Sequence, residues 1–110
     1  MKTTKAEYDA FILSVEATVA LLGLTNYRLY YEKRAIDAYA EISYDCLGMT
    51  ATITCCTTHD SDFDPVLSGK HEALHLLLAG YTIEARARCT TEFALDQAEH
   101  SIVRRLERVL

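Results

Sequence analysis

Residues 71–75 read His-Glu-Ala-Leu-His, the pattern H-E-x-x-H. On a helix, side chains four positions apart stand one above the other on the same face. Two imidazoles so placed can share one tetrahedral metal ion, most often zinc. Glu72 lies one position round, within reach of a water on that metal, where a carboxylate serves as general base. Val66 and Leu67 before the motif, and Leu76, Leu77, Leu78 and Ala79 after it, are apolar, as in a buried helix. The bland alternative is a pair of core histidines satisfied by hydrogen bonds. The metal reading makes the further demand of a third ligand.

A zinc site with catalytic capacity takes three protein ligands and keeps one position open. The side chains available after the motif are Glu84, Glu92, Asp96, Glu99, His100 and Glu107. Those on the last helix can be ranked by phase, at about 100° per residue. Glu99 falls between Leu95 and Ile102, inside the apolar stripe. Glu107 points away, Asp96 sits on the margin, and His100 lies at least one step off. Glu92 nearly shares the phase of Glu99 but occupies the frayed start of the helix. A carboxylate in a buried stripe needs a partner. That partner is either a metal or an arginine such as Arg86 or Arg88. The expected metal set is His71, His75 and Glu99 with Glu72 as the catalytic base, and His100 is the rival to Glu99.

The elements that must position these residues follow from periodicity. Tyr8, Phe11, Ile12, Val15, Val19 and Leu22 recur at helical steps, which predicts a helix over 4–22. Thr4 and Glu7 form a capping-box pattern at its start, and Gly23 is a stop signal. Alternation predicts strands over 26–33, 38–45 and 49–56, with a turn at Leu47-Gly48. The short connections suggest an antiparallel meander. Asp64 and Pro65 read as the N-cap and first position of the motif helix, with Gly80 as its end. Ser68-Gly69 inside it allows either a close backbone approach or a later start. Residues 81–90 fit a loop or a short helical turn, and 91–109 form the last helix. The expected fold is α+β: an N-terminal helix, a three-stranded mainly antiparallel sheet, the motif helix and a C-terminal helix.

The 110 residues suit one domain with a real core. Half are apolar and a quarter charged, ordinary for a globular protein. A net charge of −5 with no basic stripe argues against nucleic acid as a partner. Arg104, Arg105 and Arg108 read as a solvated helix face favoured near a C-terminus. The seven tyrosines read as packing for a half-buried sheet and not as a stacking platform for bases. The acidic loop 57–64 lacks the glycine and closing glutamate of an EF-hand. No stretch is long and apolar enough to span a membrane, and the first residues carry no signal-type apolar region, so a cytoplasmic protein is expected. Cys46, Cys55, Cys56 and Cys89 show no C-x-x-C spacing and read as free thiols.

The motif followed on a later helix by Glu99 resembles the gluzincin pattern, in which a glutamate from the next helix completes a zinc site. The element order resembles the minimal core of small zincins such as the ImmA/IrrE-like and SprT-like peptidases. The segments His71–Leu78 and Glu99–Leu106 look closest to those of small phage or bacterial metallopeptidases. The resemblance covers most of the chain in layout and is specific in these two segments. It departs from metzincins, because no glycine and histidine follow at the required spacing. It also departs from thermolysin-like enzymes, because the asparagine-glutamate pair is missing. It implies a zinc-dependent metallopeptidase acting on a protein or peptide substrate, with Zn2+ on His71, His75 and Glu99 and proton transfer by Glu72. Tyr81 or His100 would stabilise the oxyanion, and an exposed sheet edge such as strand 49–56 would hold an extended substrate. A non-catalytic, zinc-stabilised binding module and a regulator that cleaves one partner are the other readings.

Overall fold

The computed structural model runs α1 (Lys5–Leu21), β1 (Arg28–Arg34), β2 (Ala40–Asp45), β3 (Thr50–Cys56), α2 (Pro65–Arg86) and α3 (Glu92–Glu107). It describes residues 1–87 and 90–109. Arg88, Cys89 and Leu110, on which the sequence placed an ion-pair partner, a free thiol and the end of a stripe, lie outside the described residues. The α+β class holds. No helix among the described residues is long and apolar enough to cross a membrane.

Helix α1 begins and ends where its local chemistry dictates. The Thr4 side chain accepts from the Glu7 amide at 3.1 Å, and the Thr4 amide donates to Glu7 Oε1 at 2.9 Å. The capping box thus satisfies two amides that the first turn leaves without partners. At the other end Gly23 takes φ 71°, and the amides of Gly23 and Leu24 donate to the carbonyls of Ala20 and Val19. This is a Schellman stop, which needs a residue tolerant of the left-handed region. Phe11, Val15 and Val19 are buried on one face, against Ile53, Cys55, Leu76 and the rest of the core.

The sheet differs from the expected meander. Its order is β1-β3-β2, with β1 parallel and β2 antiparallel to β3. Strand 49–56, expected to offer an exposed edge, is the central strand. The reason lies in composition. Along β3, Ala51, Ile53, Thr54, Cys55 and Cys56 are all buried, so both its faces are covered. Central strands read as near-continuous apolar runs, whereas β1 and β2 alternate half-buried with exposed positions, as edges with one wet face do. The inner face carries cross-strand rows such as Tyr31–Ile53–Ile42 and Leu29–Ala51–Tyr44. The outer face is polar: Arg34 pairs with Glu41 at 2.8 Å and Glu32 at 3.5 Å, and Thr54 donates to Glu32.

Helix α2 packs on α1 through Gly69. A Cβ at that position would stand 2.7 Å from Ser14 Cβ and 2.8 Å from the Phe11 carbonyl oxygen. The glycine therefore serves a close helix approach, fixed further by a hydrogen bond from Ser14 Oγ to the Val66 carbonyl. Gly80, expected to end the helix, does not; α2 continues to Arg86. A helical glycine costs only about 1 kcal/mol relative to alanine, too little to stop a run continued by Ile83, Glu84, Ala85 and Arg86. The two glycines should respond with opposite signs. Gly80→Ala has nothing within 4 Å of the new methyl group and should gain about 1 kcal/mol. Gly69→Ala meets backbone and should lose about 1–3 kcal/mol despite its better helix propensity. Urea unfolding of both variants checks this, and a stabilised Gly69→Ala protein would contradict the close approach.

Candidate metal centre

The motif sits in the second and third turns of α2, and the start of that helix fixes its phase. Asp64 is the N-cap, its carboxylate accepting from the Leu67 amide at 3.1 Å, and Pro65 takes the first helical position. His71 and His75 are exposed on one face, while Glu72 is buried at 5 % exposure. The two imidazoles meet edge to face with their Nε2 atoms 3.1 Å apart. Tetrahedral zinc with bonds of about 2.0–2.1 Å sets two ligand nitrogens about 3.3 Å from one another, so the pair fits a shared metal with little adjustment. Without one, the same contact is a hydrogen bond between a protonated and an unprotonated nitrogen.

Burial pushes the Glu72 carboxyl above the usual carboxylate range, while His75 and His71 pull it back and Glu41 pushes it further up. No hydrogen bond is among the influences on it. A buried carboxyl with a raised pKa is the kind of group that proton transfer uses.

The sheet element facing the motif is β2. A cleft of about 340 Å³ is lined by Glu41, Ile42 and Tyr44 opposite His71, Glu72 and His75. A second, of about 320 Å³, is lined by Tyr39, Ala40 and Leu67 and shares His71 and Glu72. The motif thus stands between two openings that run along an edge strand. Tyr44 and Glu41 were not among the residues singled out from sequence. The inward phase of Ala40, Ile42 and Tyr44 was readable, but only the sheet order shows that this strand, and not β3, is the edge beside the motif.

The expected third ligand lies elsewhere. Among the described residues no three His, Cys, Asp or Glu side chains form a group that could hold a metal. Glu99 is exposed, and so is His100, whose Nδ1 lies 2.7 Å from the Asp96 carbonyl. The expectation that Glu99 sits deep in a buried stripe is incorrect. The half-buried face of α3 carries Ala94, Leu95, Ala98, Ser101, Ile102, Arg105 and Leu106, and no residue of the helix is fully buried. That face centres on Ala98 and Arg105, about 100° round from Glu99. Leu95, Ala98, Ile102 and Leu106 of the expected stripe lie on it, whereas Val103, on the far side of Glu99, is exposed. Neither Arg86 nor any other cation among the described residues pairs with Glu99. Tyr81 is exposed and lines a cavity away from the histidine pair.

Cys46, Cys55 and Cys56 are free thiols. Burial, then the neighbouring Cys56, pushes the Cys55 thiol up to about 12, which favours its protonated form at neutral pH. His59, expected in a plain polar loop, instead ties that loop to α1. Its Nδ1 lies 2.7 Å from the Asp60 carbonyl and its Nε2 3.2 Å from Glu7 Oε1. Both nitrogens face acceptors, and the hydrogen bond to Asp60, followed by that to Glu7, raises its pKa.

Compared with known protein families, characterised proteins and solved structures, the chain matches none.

Proposed function

We propose that the protein is a zinc-dependent metallopeptidase whose centre is His71, Glu72 and His75. The observation that carries this reading is the convergence of two Nε2 atoms at 3.1 Å beside a buried carboxyl, facing an edge strand. Zinc held by His71 and His75 would supply Lewis-acid chemistry, polarising a carbonyl and activating water. The chain's own residues do the rest. His71 and His75 would each offer Nε2 as a ligand. Glu72 accepts the proton of the attacking water and delivers it to the leaving amine. The free edge of β2 holds an extended peptide by strand addition, replacing the role first assigned to strand 49–56. A third protein ligand from the last helix, Glu99 or His100, belongs to this reading as a proposal of its own, and requires α3 to turn that face toward the pair.

A second reading, a zinc-stabilised module that binds a protein partner without cleaving it, is favoured by the same histidine geometry and differs only in what Glu72 does. The test of the shared part is metal content. The purified chain is expected to carry about one zinc. His71→Ala and His75→Ala should each lose it, and unchanged zinc in both variants would sink both readings.

A further inference from the structure

The face of α2 turned away from the histidines borders a cavity of about 480 Å³ between α2 and α3. Leu77, on its wall, lies about half a turn round the helix from His75. Leu24, Tyr27, Leu76, Phe93 and Ile102 make the lining largely apolar, and the volume is in the range of small-ligand pockets. Arg105 and Ser101 form part of this wall and also of a neighbouring cleft of about 150 Å³, which Gly23, Arg104 and Arg108 complete. The two spaces therefore share one polar partition. Arg105 is held there by bonds from Nη1 to the Ser101 carbonyl and hydroxyl, and its Nε is buried without an acceptor. Among the described residues none of the three arginines has a carboxylate within ion-pair distance. Glu84, the acidic residue on the cavity wall, is bonded to Thr90 beside the start of α3, about 20 Å along that helix from Arg105.

We infer that this cavity and cleft form one binding site for a small amphipathic anion, with its apolar chain between α2 and α3 and its carboxylate or phosphate head on Arg104, Arg105 and Arg108. An apolar ligand without charge would leave the arginines unmatched. An inorganic anion would leave the cavity unfilled. This site is separate from the histidine centre and does not depend on what that centre does.

The test is calorimetric titration of the intact chain with decanoate, octanoate, decan-1-ol and inorganic phosphate at low salt. Decanoate should bind about one per chain. Decan-1-ol should bind at least about 10-fold more weakly, because it forgoes charge-assisted hydrogen bonds. Octanoate should lose about fourfold for each methylene removed. Arg104→Gln/Arg108→Gln changes two exposed positions and should weaken decanoate several-fold while leaving decan-1-ol unchanged. Ala98→Phe, which fills the cavity, should abolish binding of both. The site is overturned if decan-1-ol matches decanoate, if phosphate alone binds as tightly as decanoate, if decanoate shows no saturable binding, or if the arginine pair can be replaced without effect.

Discussion

Glu72→Gln should leave zinc content at the level of the unaltered chain and slow peptide hydrolysis by about 10²–10⁴-fold. The amide has the same shape as the carboxyl but cannot take a proton from water. Its fold should be intact, because Glu72 is 5 % exposed and its charged form is disfavoured by burial. A neutral isostere removes that desolvation cost, so the melting temperature should hold or rise. The comparison needs a control on the same cleft. Glu41→Gln changes a carboxylate that Arg34 already holds at 2.8 Å, and should change the rate far less. Turnover of a zinc-dependent peptide substrate, measured beside metal content, separates the outcomes. Full activity in a zinc-loaded Glu72→Gln protein would remove the base from the mechanism. A chain that binds one zinc and hydrolyses nothing, with or without Glu72, would leave the non-catalytic module standing.

What the sequence made legible was local. Thr4 with Glu7, and Asp64 with Pro65, mark helix starts through bonds that reach three residues, and both are found where those letters stand. The histidine pair needs only helical spacing, and its convergence follows once α2 is helical. Sheet order is a different kind of fact. The five-residue connection from β1 to β2 looks like a meander link, yet it carries the chain across to the opposite edge of the sheet and leaves β3 to fill the middle. The clue was the pair Cys55-Cys56, which point to opposite faces and are both buried. Two buried faces require a covered strand, and a covered strand is central. Phase on α3 failed only at its margin. Leu95, Ala98, Ile102 and Leu106 of the stripe are half-buried as expected, but Val103, which widened the stripe past Glu99, is 49 % exposed and leaves Glu99 in solvent.

Replacing Phe11 by alanine should cost about 3–5 kcal/mol. That is a large share of the roughly 5–15 kcal/mol that holds a small domain folded. Phe11 is fully buried, among the largest side chains in the core, and its own carbonyl faces the position where Gly69 admits α1 to α2. Removing the ring leaves a cavity that the two helices cannot close without disturbing that contact. Leu13→Ala, on the same helix but 66 % exposed, should stay within about 0.5 kcal/mol. Urea unfolding gives both values. The same experiment tests the link from core to metal centre, because α1 supports the turns of α2 that carry His71 and His75. A metal that binds only the folded chain restores stability by mass action, about 2.7 kcal/mol at 100 times its dissociation constant. Zinc should therefore raise the denaturation midpoint of Phe11→Ala. It should fail to do so in Phe11→Ala/His75→Ala, where one imidazole is gone. Equal rescue of both proteins would mean that zinc acts somewhere other than the histidine pair.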